Sequence, residues 1–511
     1  MTNSVSKPHS REFLGHPIGL YVLFFTEMWE RFSYYGMRAI LTLFLVAKAN
    51  EQNGGLGWQD GKALALYGWY TMLVYVMSIP GGVIADRWLG QKKSVLVGGV
   101  LLVFGHTILA IQQMWAFYSG LGLIIAGVGM LKPNISTMVG GLYKQGDIRR
   151  DKGFTIFYIG INLGAFLSGF VVGYVGEVHG WHYGFGLAGL GMLAGLLVYI
   201  FGQKHLVHVG NRVTSADPKK DASLTDLIGN LLRSPLQLTI VVVLIAASLF
   251  ICSNMNGNAS WAYCLLFVFI SLVAGMMMMI YKDLETKELK DRFLIILLSF
   301  ILVILFWGAF EQAGGLMNIY AKTKTNRMLL GWELPASWFQ SLNPFFIIVF
   351  GTAVATFWAR RKLKGKEGSS IFKMVIGQMI MGAGFVFMAL AALEFERKGI
   401  SAMYWLVLAY LFHTVGELCS SPVALSFITK LAPVKYASLM MGAYFAATGL
   451  GNKVAGILGE SASVHGEYII FLRITLFTVL FGAVVLFMLK PLKRLTHGVE
   501  DNEKVMHDNF D

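Results

Sequence analysis

Between residues 18 and 490 the chain is a succession of about fourteen apolar runs, each roughly the 20 residues an α-helix needs to cross a bilayer. Each run must satisfy its own backbone N–H and C=O groups, because hydrocarbon offers no partner, and a helix does so within one segment. The runs fall at 18–46, 63–84, 94–112, 115–142, 153–175 and 182–201, then at 235–252 and 261–281, and finally at 293–321, 335–358, 371–393, 403–429, 436–459 and 468–489. The sequence therefore predicts an all-α polytopic membrane protein. Composition agrees: with 56% apolar residues, 14% charged residues and 58 glycines in 511, the chain is too apolar for a soluble protein of this length.

A formal charge of +13 would suit a nucleic-acid partner, but the basic residues sit in short loops between runs, where their role is orientation. Lys92, Lys93, Lys144, Arg149, Arg150, Lys152, Arg360 to Lys366, Lys490, Lys493 and Arg494 fall on one side, shared with both termini if the span count is even. The positive-inside rule makes that side cytoplasmic. Residues 1–16 lack an apolar stretch ending in a cleavage site, so a cytoplasmic leader is expected rather than a signal peptide. Cys252, Cys264 and Cys419 each lie in or beside an apolar run and imply no disulfide framework.

The first run carries charges that lipid would not tolerate. Glu27, Glu30, Arg31, Tyr34 and Arg38 recur at three- and four-residue steps and form one polar stripe on an apolar helix. A mid-membrane charge costs about 2.5–3.5 kcal/mol on insertion scales, so such a stripe faces a cavity or pairs internally. At a rise of 1.5 Å per residue and no tilt, Glu30, Lys132 and Glu417 lie about 18, 16 and 20 Å from the cytoplasmic ends of their helices, one central level. Arg38 and Glu311 lie about 30 and 27 Å in, near the outer face, where they can pair. A central acid–base cluster and an outer pair flanking one cavity is what an alternating-access carrier requires.

The organisation repeats weakly. In each half the connection after the second helix is the most basic, and the first copy has Gly82, Asp86, Arg87, Gly90, Lys92 and Lys93 in the spacing Gly-x-x-x-Asp-Arg-x-x-Gly-x-basic-basic. This resembles the major facilitator superfamily. The resemblance implies two six-helix halves, 18–202 and 293–490, separated by a linker at 203–292 with two extra helices and flanked by cytoplasmic segments 1–17 and 491–511. Three further runs narrow it: Glu27-x-x-Glu30-Arg31-Phe32-x-Tyr34-Tyr35, Phe157 to Gly164, and Gly416-Glu417-Leu418-Cys419-Ser420-Ser421-Pro422. Together they look like hallmarks of the proton-coupled oligopeptide transporter family of bacterial type, whose members carry two similar extra helices outside the transport core.

That resemblance implies symport of dipeptides and tripeptides with protons across a bacterial inner membrane, with no cofactor besides the proton and no enzymatic activity. The residue types fit a zwitterionic peptide. Arg31, Arg38 and Lys132 can receive its carboxylate, Glu417 its ammonium, and Tyr35, Tyr75, Tyr158, Asn162 and Asn343 its amide groups. Trp307 can wall a side-chain pocket, and Ser421 joins the binding set through its motif. Glu27, Glu30, Arg31 and Lys132 are expected to handle the coupling proton, with Glu311 as the alternative. Arg38 and Glu311, which can pair, and Lys132 and Glu417 are the expected gate residues.

Other readings stay open at this point: a carrier of nitrate or another small anion on the same fold, or a peptide sensor that does not transport. A membrane-embedded hydrolase would need a catalytic set at one depth, which the sequence lacks. His413 precedes Glu417 by four residues, but two ligands make a poor metal site. His106 is expected to pack as a neutral helix residue, and Lys453 and Arg473 to snorkel toward the outer interface. The chain departs from the family pattern at Gly68, where some members carry histidine, and at Tyr444, where many carry tryptophan.

Overall fold

A computed structural model of the chain describes residues 12–144, 147, 149–211, 239, 242, 243, 246 and 260–499. The long helical runs are α1 (Ile18–Val46), α2 (Asp60–Leu89), α3 (Gln91–Leu109), α4 (Met114–Gly141), α5 (Arg149–His179), α6 (Trp181–His205), α7 (Ser260–Asp283), α8 (Lys287–Thr323), α9 (Ala336–Leu363), α10 (Ser370–Lys398), α11 (Tyr404–Leu431), α12 (Ala437–His465) and α13 (Glu467–Phe487), followed by the short α14 (Leu489–Arg494). Among the described residues, 11 of these are long and apolar enough to cross a membrane. Helix α1 is long enough at 29 residues but is interrupted by Glu27, Glu30, Arg31 and Arg38. Of the two extra helices expected from sequence, 235–252 lies outside the described residues except for 239, 242, 243 and 246, and the other is α7.

Helices run past the apolar runs that announce them. Helix α2 continues to Leu89 by widening its last turn into a π-helix, Ala85–Leu89, and stops at Gly90, whose φ of 76° suits glycine. Helix α8 is broken at the level of Glu311 by a 3-10 turn, Glu311–Ala313.

Within the halves, α1 packs on α5 and α6, α3 on α4, α8 on α12, and α10 on α11 and α13. Across the halves α2 lies along α12 and α5 meets α9. Gly164 shows why α5 can approach α1 so closely: a Cβ there would stand 2.1 Å from the Met28 carbonyl oxygen. One apolar core runs through α1 to α6 and on into the distal parts of α8, α10 and α11, including Phe310, Phe385 and Tyr410. A second, with Phe293, Met374 and Phe427, takes in Met277 and Ile280 of α7.

His16 meets the Tyr143 hydroxyl at 2.8 Å, Lys92 N–H donates to Gly210 O at 2.8 Å, and Lys493 pairs with Glu367 at 2.9 Å. These contacts gather the two ends of the described chain and the loops after α2, α4, α6 and α9 on one face, the terminal face; the opposite one is called the far face. The basic loops noted in the sequence lie on the terminal face. The cysteines do not all merely pack: Cys264 is disulfide-bonded, since proximity in the fold and not sequence spacing governs bridging. Cys419 is a free, buried thiol.

Candidate functional site

A cavity of about 1290 Å³ lies between the halves. Its walls come from α1, α2, α4 and α5 on one side and from α8, α9, α11 and α12 on the other, and it reaches Asp86 and Arg87 at the terminal end of α2 and Gln91 at the start of α3. All the side chains expected to bind peptide, Arg31, Tyr35, Arg38, Tyr75, Lys132, Tyr158, Asn162, Trp307, Asn343, Glu417 and Ser421, line this one cavity. Glu27 lines it too. Glu30 and Glu311 do not; they lie behind Arg31 and Arg38, at 0% and 2% exposure.

The N-half wall is organised by α1. Arg31 Nε donates to Glu27 Oε1 at 2.8 Å, its Nη2 lies 2.6 Å from the same oxygen, and Glu30 Oε2 is 3.0 Å from Nε. One guanidinium thus faces two carboxylates. Its hydrogen bond goes to Glu27, and neither Glu30 oxygen accepts one. Lys132 is brought to this wall but not onto Glu30: its Nζ sits 3.7 Å from the centre of the Tyr75 ring. Helical rise sets the two at one level but leaves the rotation of α4 open. With both acids ionised, Glu27, Glu30, Arg31 and Lys132 sum to zero charge. A proton on either acid leaves one positive charge beside the cavity.

The C-half wall carries the opposite sign. Glu417 Oε2 accepts from Asn343 Nδ2 at 2.7 Å, and the same amide donates to Thr414 Oγ1 at 3.1 Å. Tyr158 and Asn162 sit one turn apart on α5, where the Asn162 amide donates to the Tyr158 carbonyl at 2.9 Å while the Tyr158 ring is 44% exposed. His413 turns away from Glu417 and lies against the Phe385 ring, 4.4 Å between centres.

Toward the far face the cavity is shut by contacts between the halves. Arg38 Nη1 donates to both Glu311 oxygens, at 3.0 and 3.1 Å, and the Tyr67 hydroxyl donates to Oε2 at 2.9 Å. Thr42 Oγ1 donates to Gly314 O at 3.0 Å, and Asn318 Nδ2 to Ala39 O at 2.8 Å. Ser341 donates to Phe166 O at 2.9 Å. Closer to the far face Lys322 pairs with Glu177 at 3.0 Å, and the other Glu177 oxygen accepts the Ser337 backbone N–H at 2.8 Å. Sequence reasoning found Arg38 and Glu311 but missed Tyr67, Asn318, Glu177 and Lys322. Asn318 carried the same mark as Asn343, a polar group inside an apolar run.

Two departures from expectation concern α12. Lys453 does not snorkel: α12 is covered by α2 and α7 at that level, so the side chain has no route to water and is 1% exposed. Gly68 has no space for a histidine in this arrangement, because even a Cβ there would lie 2.7 Å from the Gly456 Cα. Tyr444, by contrast, lines the cavity.

The sequence profile described as the POT family matches residues 92–468. The peptide transporter YePEPT of Yersinia enterocolitica is 35% identical over 520 residues, covering 98% of this chain and 100% of its own. A di-/tripeptide transporter of Lactococcus lactis subsp. cremoris is 35% identical over 508 residues, covering 96% and 98%. Among solved structures, a POT family transporter in complex with a thioalcohol conjugated peptide is similar at a TM-score of 0.79 and 31% identity, covering 94% of this chain and 98% of that one.

Proposed function

Since the chain belongs to the POT family of membrane transporters, we propose that it imports dipeptides and tripeptides together with protons, by alternating access between the two faces of the membrane. The observation that carries this reading is the cavity, with Arg31 and Lys132 on one wall and Glu417 on the other, shut on the far side and reaching the terminal face. Those cations suit a peptide carboxylate, arginine as a planar fork and lysine as a point charge, and Glu417, with one oxygen not engaged by Asn343, suits an ammonium. Recognition of the two ends and the amide tolerates varied side chains.

The moving bodies are the halves 18–202 and 293–490, the terminal face is cytoplasmic, and the membrane is the bacterial inner membrane. The coupling ion is the proton; the protein performs no catalysis and needs no cofactor. In this mechanism a proton on Glu30 relieves Arg31 of one of its two carboxylates, and the cluster then offers net positive charge to the incoming peptide carboxylate. Substrate and proton therefore favour one another. A membrane potential contributes about 2.3 kcal/mol per charge per 100 mV and a pH unit about 1.4 kcal/mol, enough together to concentrate peptide several hundredfold. Purified protein in vesicles should accumulate labelled dipeptide when an acidic exterior and an interior-negative potential are imposed. Equal uptake with and without the gradient, unaffected by a protonophore, would overturn the coupling.

A further inference from the structure

Four cations are buried among the described residues: Arg31, Arg38, Arg327 and Lys453. The three arginines hold carboxylates. Lys453 does not: its Nζ has no hydrogen-bond partner, and Glu460, the one acid on α12, is seven positions away and bonded to the Tyr263 hydroxyl. Instead Nζ lies 4.4 Å from the centre of the Trp69 ring and 5.0 Å from that of Tyr263. The two rings meet edge to face, 5.8 Å apart at 65°. A buried ammonium without an acceptor is strongly disfavoured, and the faces of two aromatic rings are the groups that offset it here.

The three residues belong to three bodies. Trp69 is on α2 of the N half, Lys453 on α12 of the C half, and Tyr263 on α7, which belongs to neither. They lie where the seam between α2 and α12 is closed most tightly. Beside Trp69, Gly68 meets Gly456 backbone to backbone, and one turn away Asn452 Nδ2 donates to Thr71 O at 3.3 Å. Toward the terminal face α7 continues along the same seam, and Val273 and Met276 enter the cavity lining there.

We propose that Lys453, Trp69 and Tyr263 form a cation–π latch through which the additional helix α7 holds the far end of the α2–α12 seam shut. The inference rests on the alternating-access reading above and assigns these three as positioning residues for the alternation step. Opening the far side carries Trp69 away with the N half and leaves the ammonium with one ring. In the open state water reaches the ammonium and the Tyr263 ring contributes less, so removing Tyr263 costs the closed state more and the balance moves toward the open one.

The test uses the full chain in lipid nanodiscs with spin labels at the far ends of α2 and α12, reading the populations of near and distant label pairs. Tyr263→Ala should raise the far-side-open to closed ratio roughly five- to thirtyfold. Tyr263→Phe, which keeps the ring, should stay near the native ratio. In a Lys453→Met background, Tyr263→Ala loses only its edge contact with Trp69, so its effect on the ratio should be clearly smaller. An alanine effect of equal size with and without the Lys453 charge would reduce Tyr263 to simple packing, and a phenylalanine variant that behaves like alanine would assign the hold to the hydroxyl's bond with Glu460; either result overturns the latch. A native far side that never opens with protons and dipeptide supplied would overturn alternating access, and the latch with it; native opening with unmoved variants would overturn the latch alone.

Discussion

At the centre of the cavity the charges bond within one half; on the far side they bond between halves. Arg31 takes both of its carboxylates from its own helix, whereas Arg38, two turns on, takes Glu311 from α8. Around Arg38 the neutral contacts cross as well, from Thr42 to Gly314, Asn318 to Ala39 and Ser341 to Phe166. The central cluster can therefore change protonation without tearing the seal, and the seal can part without unpairing the cluster. What the two share is Tyr35, whose ring lies 4.8 Å from the Arg38 guanidinium carbon and 6.0 Å from that of Arg31. The difference separates where a proton is held from where the gate is held.

The seal is the costlier of the two regions to disturb. Arg38→Ala leaves Glu311 buried with only the Tyr67 hydroxyl, and removing one partner of a buried pair costs about 3–5 kcal/mol. Uptake and counterflow should both collapse. Replacing Arg38 and Glu311 together by alanine removes the orphaned charge, so that variant should regain part of the far-side closure, read by cysteine cross-linking across the seal. A double variant worse than Arg38→Ala would mean the pair does not act as a unit.

Next comes the cluster. Glu30→Gln mimics the protonated acid permanently and leaves the seal alone, so gradient-driven accumulation should vanish while peptide counterflow persists. If this variant still concentrates peptide, the coupling proton sits elsewhere, with Glu311 the leading candidate. A smaller, ligand-dependent effect is expected across the cavity. Glu417→Ala should weaken free dipeptides by roughly ten- to a hundredfold, the worth of one hydrogen bond to a charged group, about 1.5–3 kcal/mol. An N-acetylated peptide, with no ammonium, should lose little more; equal losses would make Glu417 a packing or gating residue.

The fold was legible because apolar run length has one cheap solution in a bilayer, and the stripe on α1 because helical periodicity is local. The Arg38–Glu311 pairing was legible from depth alone, since both side chains are long enough to absorb errors of helix tilt. Lys132 was not: depth says nothing of rotation, and α4 turns its ammonium onto Tyr75. Lys453 misled because snorkelling presumes a free helix flank, which α2 and α7 take away. Gly68 has its reason 388 residues further on, at Gly456, a backbone contact that no local pattern announces.

The smallest effect lies at the outer rim of the seal and sharpens what holds it. Lys322 and Glu177 form the outer cross-half ion pair, but Lys322 is 38% exposed while Glu177 is 3% exposed. An ion pair with one solvated partner is screened and adds about 0.2–1 kcal/mol. Glu177 also accepts the Ser337 backbone N–H, at the start of α9, with its other oxygen. Lys322→Ala leaves that bond in place, so the far-side-closed population should fall by no more than about fivefold and the loss should shrink further at high salt. Glu177→Ala removes both contacts and leaves a buried N–H without its acceptor, a penalty of about 1–3 kcal/mol that salt does not screen. Cross-linking of the far ends at low and high ionic strength separates the two. Equal, salt-sensitive losses for both variants would show that the rim is held by charge alone, and that the seal's reliance on backbone acceptors stops short of the outer surface.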